Sequence, residues 1–300
     1  MSAPLIRILL ATRNGADHLD AQLNSYLTQT HDNWALWVSD DGSDDATWQI
    51  LERFRADHPA RDIRLLRGPG RGAAANFLSL LTHPDLPPGP VALSDQDDVW
   101  LPNRLSRAWE VIATSNGPAL YGSTTIETDP DLVPLAKQRA QLPPPSFSNA
   151  LVQNIVAGNT ITLNAPGLAA LRAAGAPDVA FHDWWIYLRL TGIGAQVTVD
   201  NVPLLYYRQH AGNVLGAHSG MRAGAHRVGA LLRGTHAGWI RGNLDALLAH
   251  PDDLIPDHAM AARLLRDTRW RLAALRRSGA RRSSRAGRIA LNALALIGRT

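Results

Sequence analysis

The stretch VALSDQDDVW, residues 91–100, decides the fold. Val91, Ala92 and Leu93 form an apolar run, and Asp95, Asp97 and Asp98 follow within four positions. A short apolar run bounded by polar residues reads as a fully buried strand. Three carboxylates at its end repel one another unless solvent or a cation compensates them. The same pattern recurs upstream. PLIRILLA (4–11) runs into TRNGAD, and WALWVS (34–39) runs into DDGSDD. IRLLR (63–67) is a third strand. Helical spacing lies between them: Leu19, Leu23, Tyr26 and Leu27, then Trp48, Leu51 and Phe54, then AAANFLSLL (73–81). Another helix is expected from about Asn103. Strands alternating with helices predict an α/β fold with a mostly parallel mixed sheet flanked by helices. Ligands of such sheets bind beyond the carboxyl ends of the strands. The clusters Thr12-Arg13-Asn14, Asp40-Asp41 and Asp95–Asp98 are therefore expected to converge.

The rest of the chain bounds the function. Its 300 residues, 45% hydrophobic and 19% charged, suffice for one large domain with a smaller appendage. The chain has no cysteine, which excludes disulfide scaffolds and thiolate chemistry. MSAPLIRILLATRNG does not read as a signal peptide, and no run approaches the ~20 apolar residues of a membrane span, so a cytoplasmic location is expected. Charge is uneven. Residues 1–220 hold 15 Lys+Arg against 21 Asp+Glu, whereas residues 221–300 hold 15 against 5. The division expected is a catalytic unit over 1–215 and a basic helical region over 216–300. The Pro-rich segment 129–149 reads as a surface loop, and QVTVD and PLLYYRQH as two late strands.

Several residues are candidates for chemistry. Asp95 and Asp97, spaced D-x-D, suit a hard divalent cation such as Mg²⁺ or Mn²⁺. An acidic helix start is the alternative reading. In VSDDGSDDAT (38–47), Ser43 or Asp44 is expected to cap the following helix, with Gly42 permitting the turn. Asp41, at the strand end, is left free to accept a hydrogen bond from a nucleobase. In FHDWW, Asp183 is either a helix cap or a general base with a raised pKa, and Trp184 and Trp185 are candidates to stack on a sugar. His210 follows a strand and is a candidate metal ligand. GRGAAA (70–75) matches a dinucleotide-type glycine pattern, but on the third βα unit, so Gly70 and Gly72 read as a flexible turn.

Taken in order, ILLATRNGADHLDAQLNSYLTQTHDNWALWVSDDGSDDAT, LSDQDDVWLPNRL, HDWW and YRQHAGN resemble the family 2 inverting glycosyltransferases of the GT-A fold. Within that family the similarity is to bacterial polysaccharide rhamnosyltransferases and related sugar transferases. It covers residues 4–215. Many members carry Glu-Asp where this chain has His182-Asp183. The resemblance implies a nucleotide-sugar donor, with dTDP-L-rhamnose the best guess, and a glycan or lipid-linked glycan acceptor. It implies that Thr12 and Asn14 lie around the nucleotide and that Asp41 binds the base. Asp95 would lie near ribose and metal, and Asp97 would be the main metal ligand. Gly158 would sit near the acceptor, Asp183 would be the base, and His210 would reach metal or diphosphate. Arg13, Asn76 and Arg208 are further candidates for substrate contact.

Two other classes compete. A sugar-nucleotide pyrophosphorylase would want a glycine-rich basic loop after the first strand, and TRNGADH offers one Arg and one Gly. A non-catalytic carbohydrate- or nucleic-acid-binding protein would not need D-x-D, Asp183 and His210 together. The basic tail, 263–298, reads either as amphipathic helices packed on the domain or as a peripheral anchor on an anionic membrane, with Trp270 and leucines facing lipid. Nucleic acid is not an expected partner, since the acidic part would oppose it.

Overall fold

A computed structural model describes residues 3–135, 143–209, 235–267 and 271–296. His210 and Trp270 lie outside the described residues. The chain begins β1 (Ile6–Thr12), α1 (Leu19–Leu27), β2 (Trp34–Asp40), α2 (Thr47–Asp57), β3 (Ile63–Arg67), α3 (Ala73–Leu81) and β4 (Val91–Ser94). It continues β5 (Val99–Trp100), α4 (Arg104–Ile112), β6 (Ala119–Thr128), α5 (Phe147–Ala150), β7 (Thr162–Leu163), α6 (Ala165–Ala174), α7 (His182–Gly192) and β8 (Gln196–Arg208). One eight-stranded sheet results, in the order β3-β2-β1-β4-β7-β6-β8-β5. The first four strands are mutually parallel, β7 is antiparallel to both its neighbours, and β6 runs parallel to β8.

The apolar runs follow from this topology. Every residue of β2 and β4 is buried, and only Arg7 of β1 is not. A parallel strand covered on both faces shows continuous rather than alternating hydrophobicity. Register then brings the polar ends level. Thr12 pairs with Asp40 across β1 and β2, and Leu10 with Ser94 across β1 and β4. The loops after β1, β2 and β4 thus open on one edge. The two late strands are in fact one, β8, whose register against β6 shifts beside Ser123 and Thr124. Such an irregularity bends the strand.

The C-terminal helices are Thr235–Leu248, Pro256–Asp267, Arg271–Ser278 and Arg285–Leu296. Leu244, Leu247, Ala262, Leu275 and Leu291 join the same buried cluster as Leu9, Leu163, Trp185 and Leu188. The tail therefore packs on the domain. Truncating one such leucine to alanine typically costs ~2–5 kcal/mol. Among the described residues no helix is long and apolar enough to cross a membrane.

Candidate active site

The end of β4 is held before it branches into acids. The Ser94 hydroxyl accepts from Gln22 Nε2 at 2.8 Å and lies 2.6 Å from the Tyr26 hydroxyl. It donates to the Asp95 carbonyl at 3.0 Å. Gln96 turns to the loop after β1, where its amide pairs with both main-chain groups of Arg13, at 2.8 and 2.9 Å. Asp95, Asp97 and Asp98 each bring a carboxylate oxygen within 4.8 Å of the others. Asp98 is fully buried; its Oδ2 accepts from Asn159 Nδ2 at 2.7 Å, and its Oδ1 has no hydrogen-bond partner. Burial, then Asp95 and Asp97, drive its pKa well above the carboxylate range. Asp95 is raised too, by burial, Asp97 and Asp183. Arg104 is the buried cation behind them. It donates to the Leu93 carbonyl at 3.1 Å and the Asn159 carbonyl at 2.8 Å, and lies over the Trp100 ring at 3.8 Å. Burial pushes its own pKa down to about 10. Three crowded hard oxygens, one of them buried and unpaired, fit a divalent cation that prefers carboxylate ligands. Asp98, outside the D-x-D spacing, belongs to this set as well.

Asp183 lies in the first turn of α7. Burial raises its pKa to about 6, while the amides of Trp184 and Gly158 and the Asn154 side chain pull it back. The Trp184 amide donates to Asp183 Oδ1 at 2.7 Å. Its neighbour His182 is half-buried and stacks on Phe77, with ring centroids 4.1 Å apart. Desolvation lowers the imidazole pKa to about 3, so it is neutral at working pH. A side chain at Gly158 would place Cβ 2.7 Å from His182 Nε2, which is why this turn needs glycine. The sugar-stacking expectation for Trp184 and Trp185 fails. They are 4% and 0% exposed, and Trp184 Nε1 donates to the Ala150 carbonyl at 2.6 Å. They are core residues of a helix buried on nearly every side.

At the end of β2, Asp41 is buried, and its two oxygens accept the amides of Gly70 and Gly72, both at 2.7 Å. These glycines have φ of +67° and +89°. They are thus a fixed cradle for Asp41 rather than a flexible turn. Ser43 and Asp44 do not cap α2. Ser43 Oγ instead accepts the Asn14 amide at 2.8 Å and donates to Asp40 Oδ1, and Asp45 accepts the Thr47 amide at 2.9 Å. Asn14, at φ 48°, accepts the Asp44 amide at 3.0 Å. The Thr12 hydroxyl is turned inward to Asp40 at 3.1 Å. Asn76 is buried, donating to the Ser39 carbonyl at 2.8 Å with its Oδ1 unpaired.

The model of glycosyl transferase family 2 matches residues 8–174, from within β1 to the end of α6. The chain belongs to glycosyl transferase family 2. It is 28% identical over 233 residues to the dTDP-rhamnosyl transferase RfbG of Shigella flexneri, covering 73% of this chain and 78% of that one. It is 26% identical over 211 residues to the Escherichia coli glucosyltransferase WfaP, which is described as acting from UDP-Glc on α-D-GlcNAc-diphosphoundecaprenol; 70% of this chain and 79% of that one are covered. The mannosyltransferase PcManGT of Pyrobaculum calidifontis, solved with GDP-Man and Mn²⁺, matches with TM-score 0.57 and 18% identity, over 97% of this chain and 75% of that one. Staphylococcus aureus TarS 1-349 with UDP-GlcNAc matches with TM-score 0.56 and 13% identity, over 97% and 90%. These structures share the GT-A fold.

Within this family 2 chain, Arg208 acts on the acids from behind. Its Nε donates to the Asp97 carbonyl at 3.1 Å and its Nη1 to the Pro130 carbonyl. Sequence reasoning placed it at the substrate; these two hydrogen bonds are to main chain. Arg13 is exposed in the loop that Gln96 holds. Gln96, Arg104, Asn154 and Asn159 are positioning residues that no motif announced, because their partners are distant in sequence.

Proposed function

We propose that this chain transfers a sugar from a nucleoside diphosphate, with inversion at the anomeric carbon, to a hydroxyl of a glycan or lipid-linked glycan. One observation carries the reading. Asp183 lies close enough to the acid cluster to raise the pKa of Asp95. A carboxylate with a pKa of about 6 therefore sits beside a set of cation-type ligands. Asp183 accepts the proton of the acceptor hydroxyl. The acceptor oxygen bonds to the anomeric carbon from the opposite side to the diphosphate, and the bond from that carbon to the diphosphate oxygen breaks. Asp95 and Asp97, with Asp98 behind them, would hold a divalent metal such as Mg²⁺ or Mn²⁺; when bound it supplies charge neutralisation for the leaving diphosphate. His210 is a further candidate ligand by resemblance. Asp41 holds the base, the main chain at Thr12–Asn14 borders the nucleotide, Asn76 and Gly158 border the donor and acceptor, and Arg208 fixes the acid loop.

Similarity to RfbG, named a dTDP-rhamnosyl transferase, supports dTDP-L-rhamnose as donor; similarity to WfaP supports a lipid diphosphate acceptor and keeps UDP-glucose as the alternative donor. We assign residues 1–215 to the catalytic unit and 216–300 to the basic region. Its exposed Arg276, Arg277, Arg281, Arg285 and Arg288, beside Ile289 at 62% and Leu296 at 71% exposure, suit the anionic cytoplasmic face of a membrane. The test is a panel of sugar nucleotides with Mn²⁺, followed by proton NMR of the product anomer. Turnover of dTDP-L-rhamnose into a retained anomer defeats the inversion mechanism, and no turnover of any donor defeats the reading.

A further inference from the structure

The helix Thr235–Leu248 brings a second aromatic group against the residues that flank Asp183 in sequence. The rings of Trp239 and Phe181 meet edge to face, with centroids 4.9 Å apart and an interplanar angle of 85°. His236 lies 5.7 Å from the Trp184 ring and 6.1 Å from the Trp239 ring. Phe181 and Trp184 flank His182 and Asp183 directly in sequence. Phe181, His236 and Trp239 are each only half-buried, unlike the core tryptophans of α7. Arg282, from the segment before the last helix, holds the group in place. Its Nη1 lies 3.2 Å from His236 Nε2. Arginine can only donate, so Nε2 is the acceptor and the imidazole is neutral. Burial and then Arg282 lower its pKa to about 4, in keeping with that state.

A hydroxyl that gives its proton to Asp183 must touch its carboxylate, so the ring bearing it lies against the neighbouring surface. Beside the helix start that carries Asp183 stands a half-exposed aromatic wall with one ordered polar pair. Carbohydrate sites combine such apolar faces with a few fixed polar groups. We propose that Trp239, with Phe181 and His236, forms the acceptor subsite and seats a pyranose ring of the glycan acceptor. The C-terminal region is then part of the active site. This rests on the assignment of Asp183 as base.

The test uses the full chain carrying Trp239→Ala or Trp239→Phe. Donor hydrolysis without acceptor is measured beside transfer to the lipid-linked oligosaccharide fraction extracted from the native host's membranes. The expected result for Trp239→Ala is an acceptor KM raised about tenfold, the size of one aromatic contact, with hydrolysis unchanged. Trp239→Phe restores most of the affinity. An unchanged acceptor KM overturns the subsite. So does an equal loss of hydrolysis and transfer, which marks Trp239 as structural. Wild-type hydrolysis without transfer to this fraction overturns the assigned acceptor class. Absence of hydrolysis and transfer in the wild type instead defeats the glycosyltransfer reading itself.

Discussion

A base with a pKa of about 6 leaves a signature in the pH profile. Only the carboxylate form of Asp183 accepts a proton, so activity is present above the pKa and lost below it. For a pKa of about 6, roughly nine-tenths of the sites are active at pH 7 and roughly one-tenth at pH 5, so kcat/KM should fall about tenfold between them. An ordinary aspartate near 3.9 would lose less than about a tenth over that range. The limb can also be moved. The Asn154 side chain is one of the groups that lowers this pKa, so Asn154→Ala should shift the limb upward. A hydrogen bond to a charged group is worth ~1.5–3 kcal/mol, and one pKa unit is ~1.4 kcal/mol, so the shift should be about one to two units. Asp183→Asn removes the base and should cost ~10²–10⁴ in kcat with donor affinity intact. The assay is transfer at saturating metal across pH 4.5–8, with nucleotide release as the readout. An acid limb in the wild type that stays below about 4.5, or an Asn variant with more than about a tenth of wild-type kcat, refutes the reasoning.

Asp97→Ala should weaken Mn²⁺-dependent donor binding at least about tenfold, and Asp98→Asn should do so less; superimposable titrations for variant and wild type exclude the cluster as the metal site. Gly158→Ala drives a methyl against His182 Nε2, so kcat should drop while nucleotide affinity holds. Loss of nucleotide affinity instead would place this turn on the donor side. Arg104→Met removes the donor to the buried Leu93 and Asn159 carbonyls and should cost ~1–3 kcal/mol for each carbonyl left unsatisfied in urea unfolding; an unchanged midpoint would show that these bonds do not hold the site. Reversing Arg276, Arg277, Arg281, Arg285 and Arg288 to Glu should abolish co-sedimentation with anionic vesicles without unfolding the chain, and unchanged sedimentation rules out this face. Deleting the tail is the poorer test, since Leu265, Leu275 and Leu291 are core.

What sequence revealed and what it hid follow from one distinction. β3 and α3 have the bounds read from sequence, 63–67 and 73–81, because a short apolar run bounded by polar residues and the apolar face of a packed helix are both local patterns. Families of acids at strand ends were visible for the same reason. Roles set by distant partners were not. Gln96 and Arg13 are 83 residues apart, and Arg104 and Asn159 are 55 apart. Nothing in either neighbourhood announces the pairing. Trp184 and Trp185 misled because two adjacent aromatics carry no period. Only the packing of α7 on every side shows them to be core. Gly70 and Gly72 were read as flexible, yet their amides are what fix Asp41.

The pairing of Gln96 with Arg13 has a consequence for how such an enzyme changes. Gln96 grips only the main chain of residue 13 and is indifferent to what that residue carries. The Arg13 side chain is exposed and plays no part in that grip. Geometry and chemistry are thereby uncoupled at this point of the loop after β1. Selection can exchange the residue at 13, trying new contacts to a nucleotide or sugar, while the loop keeps its shape and the acid cluster its place.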